Sequence, residues 1–360
     1  MNTDFLIIGG GAIGLSSALE LLQRGARVTI FERGSTGRES SWAGGGILSP
    51  LCPWDYPDEV TRLTSRGAEL FPALAKALHT ATGIDPEYEA SGMLVLPPFD
   101  RQAALAWCTG HNVRGLEIDS CLGGAAHEGK GIFLPDVAQV RNPRLMQALR
   151  ARFEMLGGRI IEHCEVRNIT VVDGEVAALN TSCGEFSAEN YIVAAGAWSK
   201  QVLGQYSLQI DIKPIRGQML LFKFAGPPLS QIVLKQDMYL IPRRDGHLLV
   251  GSTLEDVGFD KEITQAAHNT LRQRAEALLP RLAGMPVTQH WAGLRPASPH
   301  NIPTIGRHPH LQNLYLNSGH FRYGVTMALA SVEILLNEIL NLPQRLDVVP
   351  YQAGWRGPAV

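Results

Sequence analysis

Apolar positions along the chain fall into short continuous runs separated by longer stretches at helical spacing. DFLII (4–8) is a run of strand length, and GGGAIG follows it. From Ile13 to Gln23 the apolar positions Ile13, Leu15, Leu19 and Leu22 recur as one helix face, closed by Gly25. RVTIFE (27–32) is the next strand, so the chain opens with a strand–helix–strand unit. EVTRLTSRGAELFPALAKALHTATG reads as a helix in which Pro72 predicts a kink or a break. GMLVLP (92–97) and GIFLP (131–135) read as strands, NPRLMQALRARFEMLGG (142–158) as an amphipathic helix, and RIIEHCEV as the strand after it. A buried strand at Tyr191–Ala194 runs into a glycine turn. From 213 to 295 strands dominate (GQMLLFKF, MYLIPRR, HLLVGST), interrupted by a polar helix near Ala266–Leu279. LYLNSG (314–319) is a further strand, and the apolar run from Gly324 is a helix.

Dinucleotide-type pieces near the start, middle and end predict two interleaved domains of α/β type. No repeat and no Pro-, Gly- or Ser-rich linker separates them. A chain of 360 residues, 45% hydrophobic and 18% charged, suits a compact two-domain enzyme. The net charge of −2 offers no footprint for nucleic acid or an anionic membrane. The five cysteines (Cys52, Cys108, Cys121, Cys164, Cys183) are scattered without a CxxC, which points to a reducing compartment. Asp4 stands where a secretory signal carries basic residues, and no apolar stretch reaches the ~20 residues of a membrane span. A cytoplasmic protein with no membrane partner is expected.

GGGAIG places Gly9, Gly11 and Gly14 in GxGxxG spacing between a strand and a helix. The first glycine permits the tight turn, the second the approach of a pyrophosphate, and the third close helix–strand packing. Glu32, at the end of the second strand, is placed to accept hydrogen bonds from a ribose. The motif alone leaves FAD and NAD open. GRESSWAGGGILSP (37–50) reads as a loop whose Ser40 and Ser41 offer hydroxyls to a pyrophosphate. Its consecutive glycines, Gly44 to Gly46, let backbone lie against a flat ring.

In SGHFRYGVTMALAS (318–331), Arg322 stands at a helix start, where a cation costs ~0.3–1 kcal/mol against the helix dipole. Its placement predicts an anion nearby. His320 reads as a turn residue. His300, His308 and His310 lack partners at metal spacing, so no metal is expected.

GGGAIG with Glu32, RESSWAGGG, VAAGAWS, YLIPRRDGHLLVGSTLE, WAGLRP and GHFRYG occur in this order over about residues 4–335. Together they resemble the D-amino-acid oxidase family of flavoproteins. RESSWAGGG and IPRRDGH narrow the likeness to its glycine-oxidising members. The resemblance implies FAD held by a discontinuous Rossmann-like domain (1–50, 140–213 and 296–360). It also implies an α+β substrate domain (51–139 and 214–295) on a large mixed sheet. The implied reaction oxidises glycine, sarcosine or small D-amino acids to the imine. Hydrolysis gives an oxo acid and ammonia, while O2 becomes hydrogen peroxide. Feeding of thiamine thiazole synthesis and a homotetrameric assembly are also implied.

Matched to the family, Arg295 clamps the substrate carboxylate, Tyr239 shares that load, and Arg322 is a second arginine near ligand and flavin. The cofactor candidates are Gly9, Gly11, Ala12, Ile13, Gly14, Glu32, Arg33, Ser40, Ser41, Gly45, Gly46, Ile47, Val166, Ala195 and Gly196. His320, Phe321, Arg322, Tyr323, Gly324, Val325 and Thr326 complete them. On this reading the helix from Gly324 aims its N-terminus at the N1–C2=O edge of the isoalloxazine. No residue is assigned as a general base. Tyr323 stands where relatives often carry Asn, and Leu329 where many carry Pro. The competing readings are a D-amino-acid or secondary-amine dehydrogenase using another electron acceptor, a flavin sensor without turnover, and a pyridine-nucleotide dehydrogenase.

Overall fold

The computed structural model describes residues 3–122 and 125–356. It opens with β1 (Phe5–Ile8), α1 (Ala12–Gln23) and β2 (Val28–Phe31). The stretch read as a loop contains one helical turn, α2 (Ser40–Ala43). The long α3 (Asp58–Thr82) runs through Pro72, where a kink or break was expected. Pro72 is exposed, so the carbonyl it leaves without a partner can turn to water. Next come β3 (Met93–Leu96), α4 (Arg101–Gly110), β4 (Leu116–Leu122) and β5 (Ala125–Leu134).

After α5 (Asn142–Met155) the segment expected as one strand divides into β6 (Arg159–Ile161) and β7 (Val166–Val172). β7 forms a meander with β8 (Glu175–Thr181) and β9 (Gly184–Phe186). β10 (Asn190–Val193) and α6 (Ser199–Leu203) follow. Then come β11 (Lys213–Lys223), β12 (Ile232–Lys235), β13 (Met238–Pro242), β14 (His247–Gly251) and α7 (Gln265–Leu278). The chain ends through β15 (Gln289–Ala297), β16 (Thr304–Arg307), β17 (Leu314–Ser318), α8 (Gly324–Ile339) and α9 (Val349–Gln352).

Two large sheets organise the molecule. The six-stranded sheet has the order β16-β17-β10-β1-β2-β6 and is parallel except for the β16 edge. β1 and β2 are wholly buried, which explains why β1 is apolar throughout and β2 carries only Thr29 among apolar residues. α1 packs against α5 and α8. The eight-stranded sheet has the order β15-β11-β14-β13-β12-β3-β5-β4 and is mixed, with β12 and β3 its parallel pair.

This second sheet is apolar on both faces, with a period of two. Leu94, Leu96, Leu220, Phe222, Leu240 and Val250 face α7 through Leu271 and Leu278. Met93, Val95, Met219, Tyr239 and Ile241 face the other way, into the core shared with α1 and α8. The same alternation that buries Leu240 therefore turns Tyr239 toward the six-stranded half. α3 crosses α8 at Gly67, where a Cβ would lie 1.9 Å from the carbonyl oxygen of Thr326. No helix among the described residues is long and apolar enough to cross a membrane.

Candidate active site

The turn from β1 into α1 is shaped by contact. Gly9 has φ +110°, and a Cβ there would meet the Ala194 carbonyl oxygen at 2.4 Å. A Cβ on Gly14 would lie 1.9 Å from the Gly9 carbonyl oxygen, so Gly14 seats helix on strand. The Glu32 carboxylate is buried and accepts N–H groups from Gly10 and Gly34, each at 2.9 Å. Each oxygen keeps a second lone pair for a ligand. The Ser41 hydroxyl accepts the Ala12 N–H at 2.9 Å and keeps its own proton to donate. Later amides in the first turn of α1 have no partner within the helix.

The glycine loop is pinned from the other sheet. Arg243, at the end of β13, donates to the Gly45 carbonyl at 2.6 Å, to Gln139 Oε1 at 2.8 Å and to the Val140 carbonyl at 2.9 Å. Burial, with Arg141 nearby, pulls its guanidinium down to about 10. Gly46 has φ +75° and lies against Val140, whose carbonyl oxygen a Cβ would meet at 2.1 Å.

One cavity of about 460 Å³ runs between these parts. Gly9, Gly11, Ala12, Ile13, Glu32, Arg33, Ser40, Ser41, Gly45, Gly46 and Ile47 line it, with Val166, Ala195 and Gly196. His320 through Thr326 close it, and Tyr239 and Arg295 face it from the eight-stranded sheet. Gly14 alone among the predicted site residues is off the wall, because the helix–strand contact consumes its surface. Beside Glu32, the Arg33 guanidinium lies 3.6 Å from the centre of the Trp198 ring. Free helix-terminal amides, a buried carboxylate, serine hydroxyls and a Cβ-free loop suit a dinucleotide such as FAD.

Arg295 belongs to β15, paired opposite Ile215. Its guanidinium lies on Gly217, where a Cβ would come within 2.1 Å of it. It donates to Ser252 Oγ at 2.7 Å and to the Thr253 carbonyl at 3.1 Å. Burial lowers its proton affinity, and Arg322 adds repulsion that nearby Tyr239 opposes. Among the described residues neither Arg295 nor Arg322 has a carboxylate partner. Two partly buried cations on one cavity call for an anion from outside the chain.

Tyr323 is buried and turned inward: its hydroxyl accepts the Leu51 N–H at 3.3 Å, and its ring meets Tyr56 edge-on at 5.2 Å. His320 Nε2 lies 2.8 Å from Ser331 Oγ, which itself donates to the Met327 carbonyl. That assigns the ring proton to Nε2, and burial pushes the imidazole down to about 3. The sequence reading missed Gly217, Arg243, Ser252, Thr253 and Trp198. A glycine inside a strand was the available signal for Gly217. The others carry no local signal.

The family model for FAD-dependent oxidoreductases matches residues 4–337. The chain is 41% identical to a glycine oxidase of Pseudomonas aeruginosa over 99% of this chain and 100% of that protein. It is 30% identical to a bifunctional ThiO/ThiG protein of Trichormus variabilis over 95% of this chain and 53% of that one. Among solved structures, a glycine oxidase from Geobacillus kaustophilus matches with a TM-score of 0.91 at 25% identity, covering 97% of this chain and 98% of that chain. With the glycine turn, the buried carboxylate and the match over nearly the whole length in hand, the chain belongs to the D-amino-acid oxidase family of FAD-dependent oxidoreductases.

Proposed function

We propose that this protein oxidatively deaminates glycine and related small amines, including sarcosine and small D-amino acids, to the imine. Hydrolysis of the imine then gives the oxo acid and ammonia. The observation that carries the reading is the pair of guanidiniums, Arg295 and Arg322, which have no carboxylate ion-pair partner among the described residues and lie on the cavity that also holds the dinucleotide cradle. The Gly9–Gly11 turn, Glu32, Ser40, Ser41 and the Gly45–Ile47 loop would hold FAD, which would supply acceptance of the substrate Cα hydride and transfer of the two electrons to O2 as hydrogen peroxide.

Arg295 holds the carboxylate through its planar fork, and Ser252 and Thr253 fix the plane of that fork. Tyr239 offers its hydroxyl from the same face of the sheet, and Arg322 supplies the second positive charge. The N-terminus of α8 at Gly324–Thr326 favours negative charge at the cavity wall. His320 is neutral and committed to Ser331, so it takes no proton from the amine. The amine enters in its neutral form, and the rate comes from alignment and electrostatics. Tyr323 and Leu51 line the cavity, and on this reading the bulk of the Tyr323 ring favours small substrates.

The name of the Trichormus relative supports the further reading that the imine feeds thiamine thiazole synthesis. A cytoplasmic homotetramer belongs to the same proposal. The test is a panel of glycine, sarcosine, D-alanine, D-proline and L-amino acids with peroxide readout. Stoichiometric peroxide from glycine is expected. Flavin reduced by glycine but slow to reoxidise in air overturns the oxidase reading in favour of a dehydrogenase with another acceptor.

A further inference from the structure

We propose that residues 252–264 form a strap that holds the Arg295 fork at one end and rests on the cofactor wall at the other. Arg216 is its anchoring, positioning residue. The inference rests on the reading of Arg295 as the carboxylate cation. The segment joins β14 to α7, and its apolar side chains Leu254, Val257, Phe259 and Ile263 are all exposed. Core packing therefore does not hold it, and polar anchors do. Arg216 is only 4% exposed. It donates to Glu255 Oε2 and to Asp260 Oδ2, each at 2.6 Å, and to the Glu262 carbonyl at 2.9 Å. Gln218, on the same face of β11, accepts the Thr264 N–H at 2.9 Å and donates to Glu255 Oε1 at 2.8 Å. The backbones of Arg216 and Glu255 also exchange two hydrogen bonds, at 2.9 and 3.0 Å.

Between Arg216 and Gln218, Gly217 faces the opposite way and carries the Arg295 guanidinium. The first two residues of the strap, Ser252 and Thr253, are the ones that accept from that guanidinium. Near the other end, Lys261 Nζ donates to Glu39 at 2.9 Å, and the Phe259 ring lies 5.5 Å from Trp198. Glu39 and Trp198 line the cofactor cavity, where Arg33 stacks on Trp198. One segment thus touches both walls. The buried Arg216 guanidinium, shared by two carboxylates, is the central anchor of that segment.

Arg216→Lys keeps the charge but not the fork that spans both carboxylates. In the FAD-loaded variant, KM for glycine and the Kd of acetate, read from the flavin spectrum, are expected to rise about tenfold. The kcat at saturation should change less than about twofold. The double variant Phe259→Ala/Lys261→Ala alters only exposed side chains. It is expected to raise the Kd of FAD and, at full FAD occupancy, the Kd of acetate, each by roughly threefold or more. In the wild-type protein stripped of FAD, limited proteolysis should cut within 254–263, and added FAD should protect. Three results overturn the proposal: acetate affinity unchanged in Arg216→Lys, FAD affinity lost in the double variant with acetate affinity intact, or cleavage indifferent to FAD. If Arg216→Lys does not fold, the double variant and the proteolysis decide. A wrong assignment of Arg295 looks different, because Arg295→Ala would then bind acetate as the wild type does.

Discussion

On the proposed reading Arg295 and Tyr239 bind substrate through atoms that only the folded protein brings together, and their truncations should separate binding from cofactor retention. Arg295→Ala should keep FAD and lose substrate binding. Removing one partner of a buried charge pair costs ~2–5 kcal/mol, on the order of 30- to several-thousand-fold in kcat/KM. Unchanged apparent affinity for glycine, measured by initial rates, would refute the assignment. Tyr239→Phe should cost about tenfold or somewhat more, the worth of a hydrogen bond to a charged group. Tyr323→Asn removes the hydroxyl that caps the Leu51 N–H and the edge-on contact with Tyr56. It should lower the thermal midpoint while admitting larger D-amino acids, and a substrate panel with peroxide readout checks this. His320 has its imidazole pushed down to about 3 from an ordinary 6.5 by burial. The unfolded chain therefore binds more protons than the folded one between those two values. The contribution of this group to stability is therefore complete above pH 6.5 and is lost as pH drops toward 3. Urea midpoints measured from pH 7 to pH 4 should show this slope, and His320→Gln should flatten it.

At the scale of elements, the site depends on how closely helices and strands approach. α3 meets α8 at Gly67, and a Cβ there would strike the Thr326 carbonyl at 1.9 Å. Thr326 lines the cavity and donates to the Ile47 carbonyl at 3.0 Å, so α3 sets where the first turn of α8 lies. Gly67→Ala should push that turn aside, cost ~1–3 kcal/mol as an overpacked core does, and weaken FAD binding. Fluorescence titration with FAD measures the second effect, and a variant with normal FAD affinity would show that α3 is only a prop. The sequence could not announce this crossing, because Gly67 sits in a regular helical pattern with no partner in view. Pro72, for a related reason, does not break α3: its cost depends on which face meets water, and that face is exposed here. β15 was missed as a strand because QHWAGLRPA mixes polar and apolar residues, and its burial comes from β11 and α2.

At the scale of the whole molecule, the cofactor cavity lies between two sheets built from interleaved segments, so FAD should act as a structural bridge. FAD present at 100 times its Kd should stabilise the fold by about 2.7 kcal/mol, visible as a thermal midpoint that rises with FAD concentration. A midpoint independent of FAD would show that the halves hold together without it. The local chemistry was readable along the chain: GGGAIG with a strand before and a helix after, Glu32 at the next strand end, and an arginine against a helix dipole. Hydrophobic period and turn residues act over a few positions, so they specify such elements without knowledge of the rest. The meeting of Arg295, Tyr239 and Arg322 is a property of another kind. It requires β15 to pair with β11, Gly217 to leave room for a guanidinium, and β13 to turn Tyr239 toward the six-stranded half. Those contacts join residues far apart in sequence, and their energies come from burial and register, which exist only once both sheets have formed.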